Sequence, residues 1–178
     1  MEEIKRTLTP VDSWPDALKI GEPVVVAEEP AGTPICFTVA NGEVSSWSSA
    51  KIVHADVEMS IGTHEMTDRL TQVFAGNEAP VHLHVAVLPD SVTVVDCYLG
   101  TAETGRWLHD AELEDVCAAL ALPRARVLFR GAWDGEPLDK HTGGPALRWV
   151  RVVSVRPELE RVDPERGRVI LTNKVGGQ

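Results

Sequence analysis

His82-Leu83-His84 places two imidazoles two residues apart, so on a strand both project from one face, at a spacing that metal sites use. A third ligand has to come from elsewhere, with His54 and Asp96 as candidates. With no further cluster the pair reads as ordinary strand histidines. A double-stranded β-helix metalloenzyme would follow its H-x-H shortly with a glutamate, and Leu88-Pro89-Asp90 supplies none. His64-Glu65 lacks the second histidine, four residues on, that a zinc-protease helix needs. There is no G-x-S-x-G elbow, Walker loop or G-x-G-x-x-G turn, so hydrolase, P-loop and dinucleotide chemistries have no sequence support. The remaining candidate for chemistry is residues 24–33, V-V-V-A-E-E-P-A-G-T, where a valine-rich strand meets two acids and a Gly-Thr turn.

That segment resembles the strand-and-turn opening of RNA ligases and related covalent nucleotidyltransferases, V-V-V-T-E-K-x-(D/H)-G-T. Three further segments resemble the same family in the same order. Residues 93–131 run from T-V-V-D-C-Y-L-G to L-P-R-A-R-V-L-F-R-G, similar to the ligase core strand ending in F-D-(I/V), its following helix and the L-P-x-x-P-V-L-(Y/F)-R-G strand. Residues 151–157, R-V-V-S-V-R-P, parallel E-G-V-V-V-R-P, and residues 167–172, G-R-V-I-L-T, parallel G-R-V-I-L-K. The resemblance implies an α+β, antiparallel-sheet nucleotidyltransferase core, like a ligase adenylation domain, with two main helices. In that family the lysine of the opening motif attacks the α-phosphate of ATP and carries AMP as a phosphoramide.

The departures fall on the residues that do that chemistry. Glu29 stands where the family has its lysine, and a carboxylate neither replaces an amine nucleophile nor welcomes a triphosphate. Ala31 replaces the acidic or His residue, and Ser49 follows Ser48 where an arginine is usual. Val85-Ala86 lies where the ribose-contacting Gly-Glu is expected. Arg151 replaces a metal-binding glutamate, and Thr172 replaces a phosphate-contacting lysine. Gly32, Thr33, Arg156 and Pro157 remain. The remnant nucleotide pocket implied by the resemblance comprises Glu29, Gly32, Thr33, Lys51, Arg151, Arg156 and Lys174, with no catalytic residue and no metal ligand among them. Because the first and fourth motifs have exchanged signs, Glu29 and Arg151 are expected to close the pocket as an ion pair, the alternative being two unrelated solvated side chains. Glu28-Glu29-Pro30 offers no lysine to a shifted alignment. An active enzyme would need one from elsewhere, and Lys51, on an adjacent strand, is the candidate.

These residues need strands to carry them. Strands are expected at Pro23 to Ala27, Ile35 to Ala40 and Glu43 to Trp47, the last two joined by Asn41-Gly42, whose turn demands positive φ twice. Lys51 to Glu58 alternates as a half-buried strand does. His82 to Leu88 and Ser91 to Tyr98 form a second hairpin about Pro89-Asp90. Arg126 to Arg130, Leu147 to Val155 and Arg168 to Thr172 complete the strands, and Gly131 to Gly144 reads as a loop. Helices are expected over Thr63 to Ala75 and Asp110 to Ala121, each with one apolar stripe. Glu112 to Asp115 reads as the solvated first turn of the second. Residues 1–20 read as a lead-in, with Trp14 packed on the rest, and 21–178 as one domain. Trp47, Trp107, Trp133 and Trp149 are mostly core candidates, and of these Trp133, in the Gly-rich loop, has the strongest case for exposure and for stacking on a ligand or partner.

At 178 residues the chain has room for one domain with a real core. Its 43% hydrophobic and 25% charged content is ordinary for a soluble protein, with no run of ~20 apolar residues to cross a bilayer. The charged N-terminus and three cysteines in apolar segments, Cys36, Cys97 and Cys117, point to a reduced, cytoplasmic setting without a signal peptide. A net charge of -10 argues against a protein built to grip phosphate backbones, although Lys and Arg gather between Arg124 and Lys174. The expectation is a non-adenylating, ligase-like binding or assembly protein. Its partner is a protein, or a nucleotide such as ATP or an RNA held without covalent chemistry, and not a membrane. The alternatives are an enzyme of another class reusing the cleft through His82, His84 or the 131–144 loop, and an active nucleotidyltransferase with a displaced lysine.

Overall fold

Alternating side chains and two amphipathic helices build an α+β chain of antiparallel sheets. The computed structural model describes residues 2–6, 9–10, 20–21, 23–48, 63–136, 152–157 and 168–172. Its strands are β1 (Thr9–Pro10), β2 (Pro23–Glu28), β3 (Thr33–Ala40), β4 (Glu43–Trp47), β5 (Val81–Leu88), β6 (Ser91–Leu99), β7 (Arg106–Trp107), β8 (Val127–Ala132) and β9 (Val152–Pro157). Its helices are α1 (Thr63–Val73) and α2 (Asp110–Leu120). The chain divides into two compact units, one of residues 1–4, 31–124 and 162–178, the other of 5–30 and 125–161.

The first unit carries an antiparallel sheet in the order β4-β3-β5-β6-β7. Asn41 and Gly42 turn β3 into β4 with φ of 53° and 79°, the positive pair this turn requires. Ile35, Phe37 and Val39 on β3 and Val81, Leu83, Val85 and Val87 on β5 point to the helices. There they pack with Met66, Leu70, Val73 and Phe74 of α1 and its end, and with Leu113, Val116, Cys117 and Leu120 of α2. On β6 both Cys97 and Val94 reach this core, although their parities differ. A register shift makes this possible: His84 pairs with Asp96 but Val85 with Val94, so one extra residue on β6 flips the pleat.

Two polar devices fix the helix positions. Arg106, 4% exposed, places both terminal nitrogens on the two oxygens of Glu112 at 2.7 and 2.8 Å. Glu112 also accepts the His109 backbone N–H at 3.0 Å, securing the start of α2. Glu112 is therefore not the solvated acid expected from its charged neighbours. Burial raises its pKa, but the bonds from Arg106 and His109 outweigh that and hold it below the ordinary value. At the C-terminus of α1, Asn77 pairs its side-chain amide with both backbone groups of Ile170, at 2.8 and 2.9 Å. Thr172 donates its backbone N–H to the carbonyl of Val73 at 3.0 Å. Residues 168–172 are thus not the strand expected, because their backbone bonds a side chain and a helix end rather than a neighbouring strand.

The second unit is an antiparallel sheet in the order β1-β9-β2-β8. In β2, Val24, Val25, Val26 and Ala27 are all buried, with pairing to β8 on one side and β9 on the other. A continuous apolar run is what a strand covered on both faces requires. Strand β8 extends through Gly131 and Ala132, where the sequence reads as a loop. Trp133 is 7% exposed and packs edge-on against Phe129, so it is a core residue, and its place beside glycines does not bring it to the surface. The expected strand Lys51 to Glu58, the 137–144 part of the loop, Trp14 and Trp149 lie outside the described residues. No helix among the described residues is long and apolar enough to cross a membrane.

Gly32 sets a sharp test of this architecture. Its φ is +128°, and a Cβ there would stand 2.7 Å from the Val87 carbonyl oxygen. Gly42 has φ +79° with open space around it. Both Gly→Ala changes strain the backbone, but only Gly32→Ala also forces two strands apart. In urea denaturation Gly42→Ala should cost about 1 kcal/mol and Gly32→Ala about 2–4 kcal/mol. Equal losses would contradict the packing assigned to Gly32.

Candidate functional site

Glu28, which ends β2, and Glu29, which follows it, are both answered by arginines of their own unit. Arg126 donates from Nε to Glu28 Oε2 at 2.7 Å, an exposed contact. Glu29 Oε2 accepts from a terminal nitrogen of Arg6, with the side chains only 19% and 10% exposed. The Glu29 carboxylate is therefore an ion-paired, half-buried group. Arg151, the partner expected from sequence, lies outside the described residues, as do Lys51, Lys174, His54 and Ser49. Arg156 stands on β9 opposite Val25, in the same unit as Glu29. Gly32 and Thr33 belong to the first unit, where Thr33 opens β3 opposite Val87.

Several motif residues have structural work of their own. Gly32 permits the close approach to β5 described above. Ser48 donates its hydroxyl to the Pro34 carbonyl, tying the end of β4 to β3. Thr172, at the position of a phosphate-contacting lysine in the resembled family, turns its hydroxyl onto the Gln72 and Val73 carbonyls that end α1.

A polar cluster lies on the face of the five-stranded sheet opposite the helices. Cross-strand pairing sets Cys36 beside His84 and Asp96, and Thr38 beside His82 and Tyr98. Cys36 Sγ lies 3.6 Å from His84 Nε2. His82 Nδ1 is 3.0 Å from Thr38 Oγ1, and its Nε2 is 3.1 Å from the Gly100 carbonyl. A carbonyl only accepts, so Nε2 carries the proton and Nδ1 accepts from the threonine hydroxyl. Burial lowers the His82 pKa, against smaller opposing effects from the Gly100 carbonyl and the Glu2 carboxylate, and the ring is neutral. Edge-on and tilted contacts link the rings in a row, Trp47 to His84, His84 to Trp107, Trp107 to Tyr98 and Tyr98 to His82, with centroids 5.1 to 6.2 Å apart.

This cluster is poised for packing and stacking more than for bond-making. Burial pushes the Cys36 thiol up to about 12, against smaller lowering from Thr38 and Trp47, so it is a protonated thiol at neutral pH and a poor nucleophile. Cys97 and Cys117 are likewise buried free thiols. His82 has both ring nitrogens engaged and offers no lone pair to a metal. Among the described residues no group of three His, Cys, Asp or Glu side chains could hold a metal ion. Sequence reasoning places His82 and His84 on one face, and the structure does so. It misses Cys36, Thr38 and Tyr98, because pairing β3 with β5 is a long-range choice that neither strand announces alone. No family model and no curated protein sequence matches the chain.

The neutral, bonded His82 makes stability depend on pH with a definite sign. The unfolded chain takes up its proton near pH 6.5, whereas the folded ring resists it. The contribution is complete above about pH 6.5 and is lost as pH falls from there through the lower folded pKa. Urea midpoints at pH 7.5, 6.5 and 5.5 should fall more steeply for the parent protein than for His82→Asn. Parallel pH profiles would show that His82 is not held neutral.

Proposed function

We propose that this chain is an RNA ligase-like domain that does not transfer adenylate and that works by binding, holding a protein partner, a nucleotide or an RNA without a covalent bond. The observation that carries this reading is Glu29. At the end of the central β2 strand, where the resembled family has its attacking lysine, stands a carboxylate paired with Arg6. An amine attacks phosphorus through a nitrogen lone pair and then holds AMP as a phosphoramide, which a carboxylate cannot form. Its negative charge also opposes the triphosphate. The surviving Gly-Thr turn and the R-P of residues 156–157 fit a scaffold retained for shape. Half-buried Trp47 and Trp107 fit the stacking of a planar group, although the net charge of -10 favours a protein partner over a phosphate backbone. An enzyme of another class using the sheet histidines has less support, since His82 is fully engaged and Cys36 is a protonated thiol.

Mass spectrometry under native and denaturing conditions tests the reading. After incubation with ATP and Mg²⁺, any nucleotide complex seen in native spray should disappear on acid denaturation and leave the unmodified polypeptide mass. A nucleoside monophosphate mass that survives denaturation would overturn the proposal in favour of a displaced lysine nucleophile.

A further inference from the structure

A cleft of about 250 Å³ opens in the first unit between α1 and the β5–β6 turn. Met66, Val92 and Leu122 give it an apolar floor, while Glu65, Asp90 and Ser91 stand at its mouth. The size decides the class of occupant. Sites for nucleotides and drug-sized ligands begin near ~300 Å³ and enclose most of the ligand, whereas this open cleft holds on the order of eight waters, the room of a single long side chain.

Charge decides which side chain. Arg69 also lines the cleft, but its two terminal nitrogens are committed, one to the Leu120 carbonyl and the other to Glu65, each at 2.8 Å. Its charge is thus answered within the site. Asp90 is exposed and has no hydrogen-bond partner among the described residues. Two carboxylates against one satisfied guanidinium leave a net negative mouth over an apolar floor. That arrangement suits methylenes below and a cation above. Leu88, 39% exposed, adds an apolar contact beside the mouth, and the net charge of -10 draws cationic partners on approach.

On the binding reading above, we propose that this cleft is a docking point for a partner protein, taking one arginine or lysine side chain flanked by apolar residues. The probe is the capped peptide acetyl-Ala-Leu-Arg-Leu-Ala-amide, titrated into the full-length ¹⁵N-labelled protein. Two controls replace its arginine by citrulline, which keeps the shape without the charge, and by glutamate. The arginine peptide should shift amide signals of Met66, Arg69, Ser91, Val92 and Leu122, and bind more weakly as salt is raised. Asp90→Asn keeps a residue suited to the turn and should weaken it about two- to fivefold, the range of an exposed ion pair. Glu65→Gln, on the helix, provides a second variant with the same expected direction. The citrulline peptide should bind more weakly than the arginine peptide. Shifts confined to other regions, no shifts at all, equal affinity for the glutamate peptide, or indifference to both substitutions would overturn the proposal. None of these results bears on whether AMP is transferred, so this inference and the non-adenylating reading fail separately.

Discussion

A carboxylate at the end of a buried strand needs a counter-charge, and Glu29 finds one in Arg6. Four buried residues precede the acids of β2, and the strand is paired on both sides, so the backbone fixes where Glu28 and Glu29 emerge. Glu28 meets Arg126 in an exposed contact worth ~1 kcal/mol at most. Glu29 and Arg6 are more deeply set, and removing either would leave a half-buried charge without this partner. The same pair draws Arg6 to the end of β2.

Several residues at the positions singled out from the sequence have structural roles that involve no catalysis. Gly32 is needed because a side chain would strike the backbone of β5. Thr172 caps the end of α1, and Ser48 ties β4 to β3. The histidine-bearing face of the other sheet has the same character. Burial favours the neutral form of His82, whose ring nitrogens meet a hydroxyl and a carbonyl, and Cys36 is buried as a thiol.

Local signals are legible in the sequence. Asn41-Gly42 announces its hairpin, the apolar stripes announce α1 and α2, and the valine run announces a doubly covered strand. Non-local signals are not. The bulge between His84 and Val85 decides which β6 residues face the helices, and nothing in S-V-T-V-V-D-C-Y-L marks it. Arg168 to Thr172 has strand composition, yet Asn77, more than ninety residues away, takes up its backbone groups. Glu112 reads as a solvated helix acid because Arg106 lies outside the helix, on β7. Among the indoles Trp133 reads as the most open to solvent because glycines lie near it, yet it is buried against Phe129. For the site, the acid at position 29 is readable from the residue itself. Its partner Arg6 is not, since an ion pair across twenty-three residues leaves no trace in either segment.

The most direct test of this account is a double-substitution cycle on Arg6 and Glu29, with Arg6→Ala, Glu29→Ala and the double variant compared by urea denaturation. The ion pair predicts that the double variant loses less stability than the two single variants added together, by a coupling of about 1–3 kcal/mol. Strict additivity would contradict it and leave Glu29 as an acid without this counter-charge.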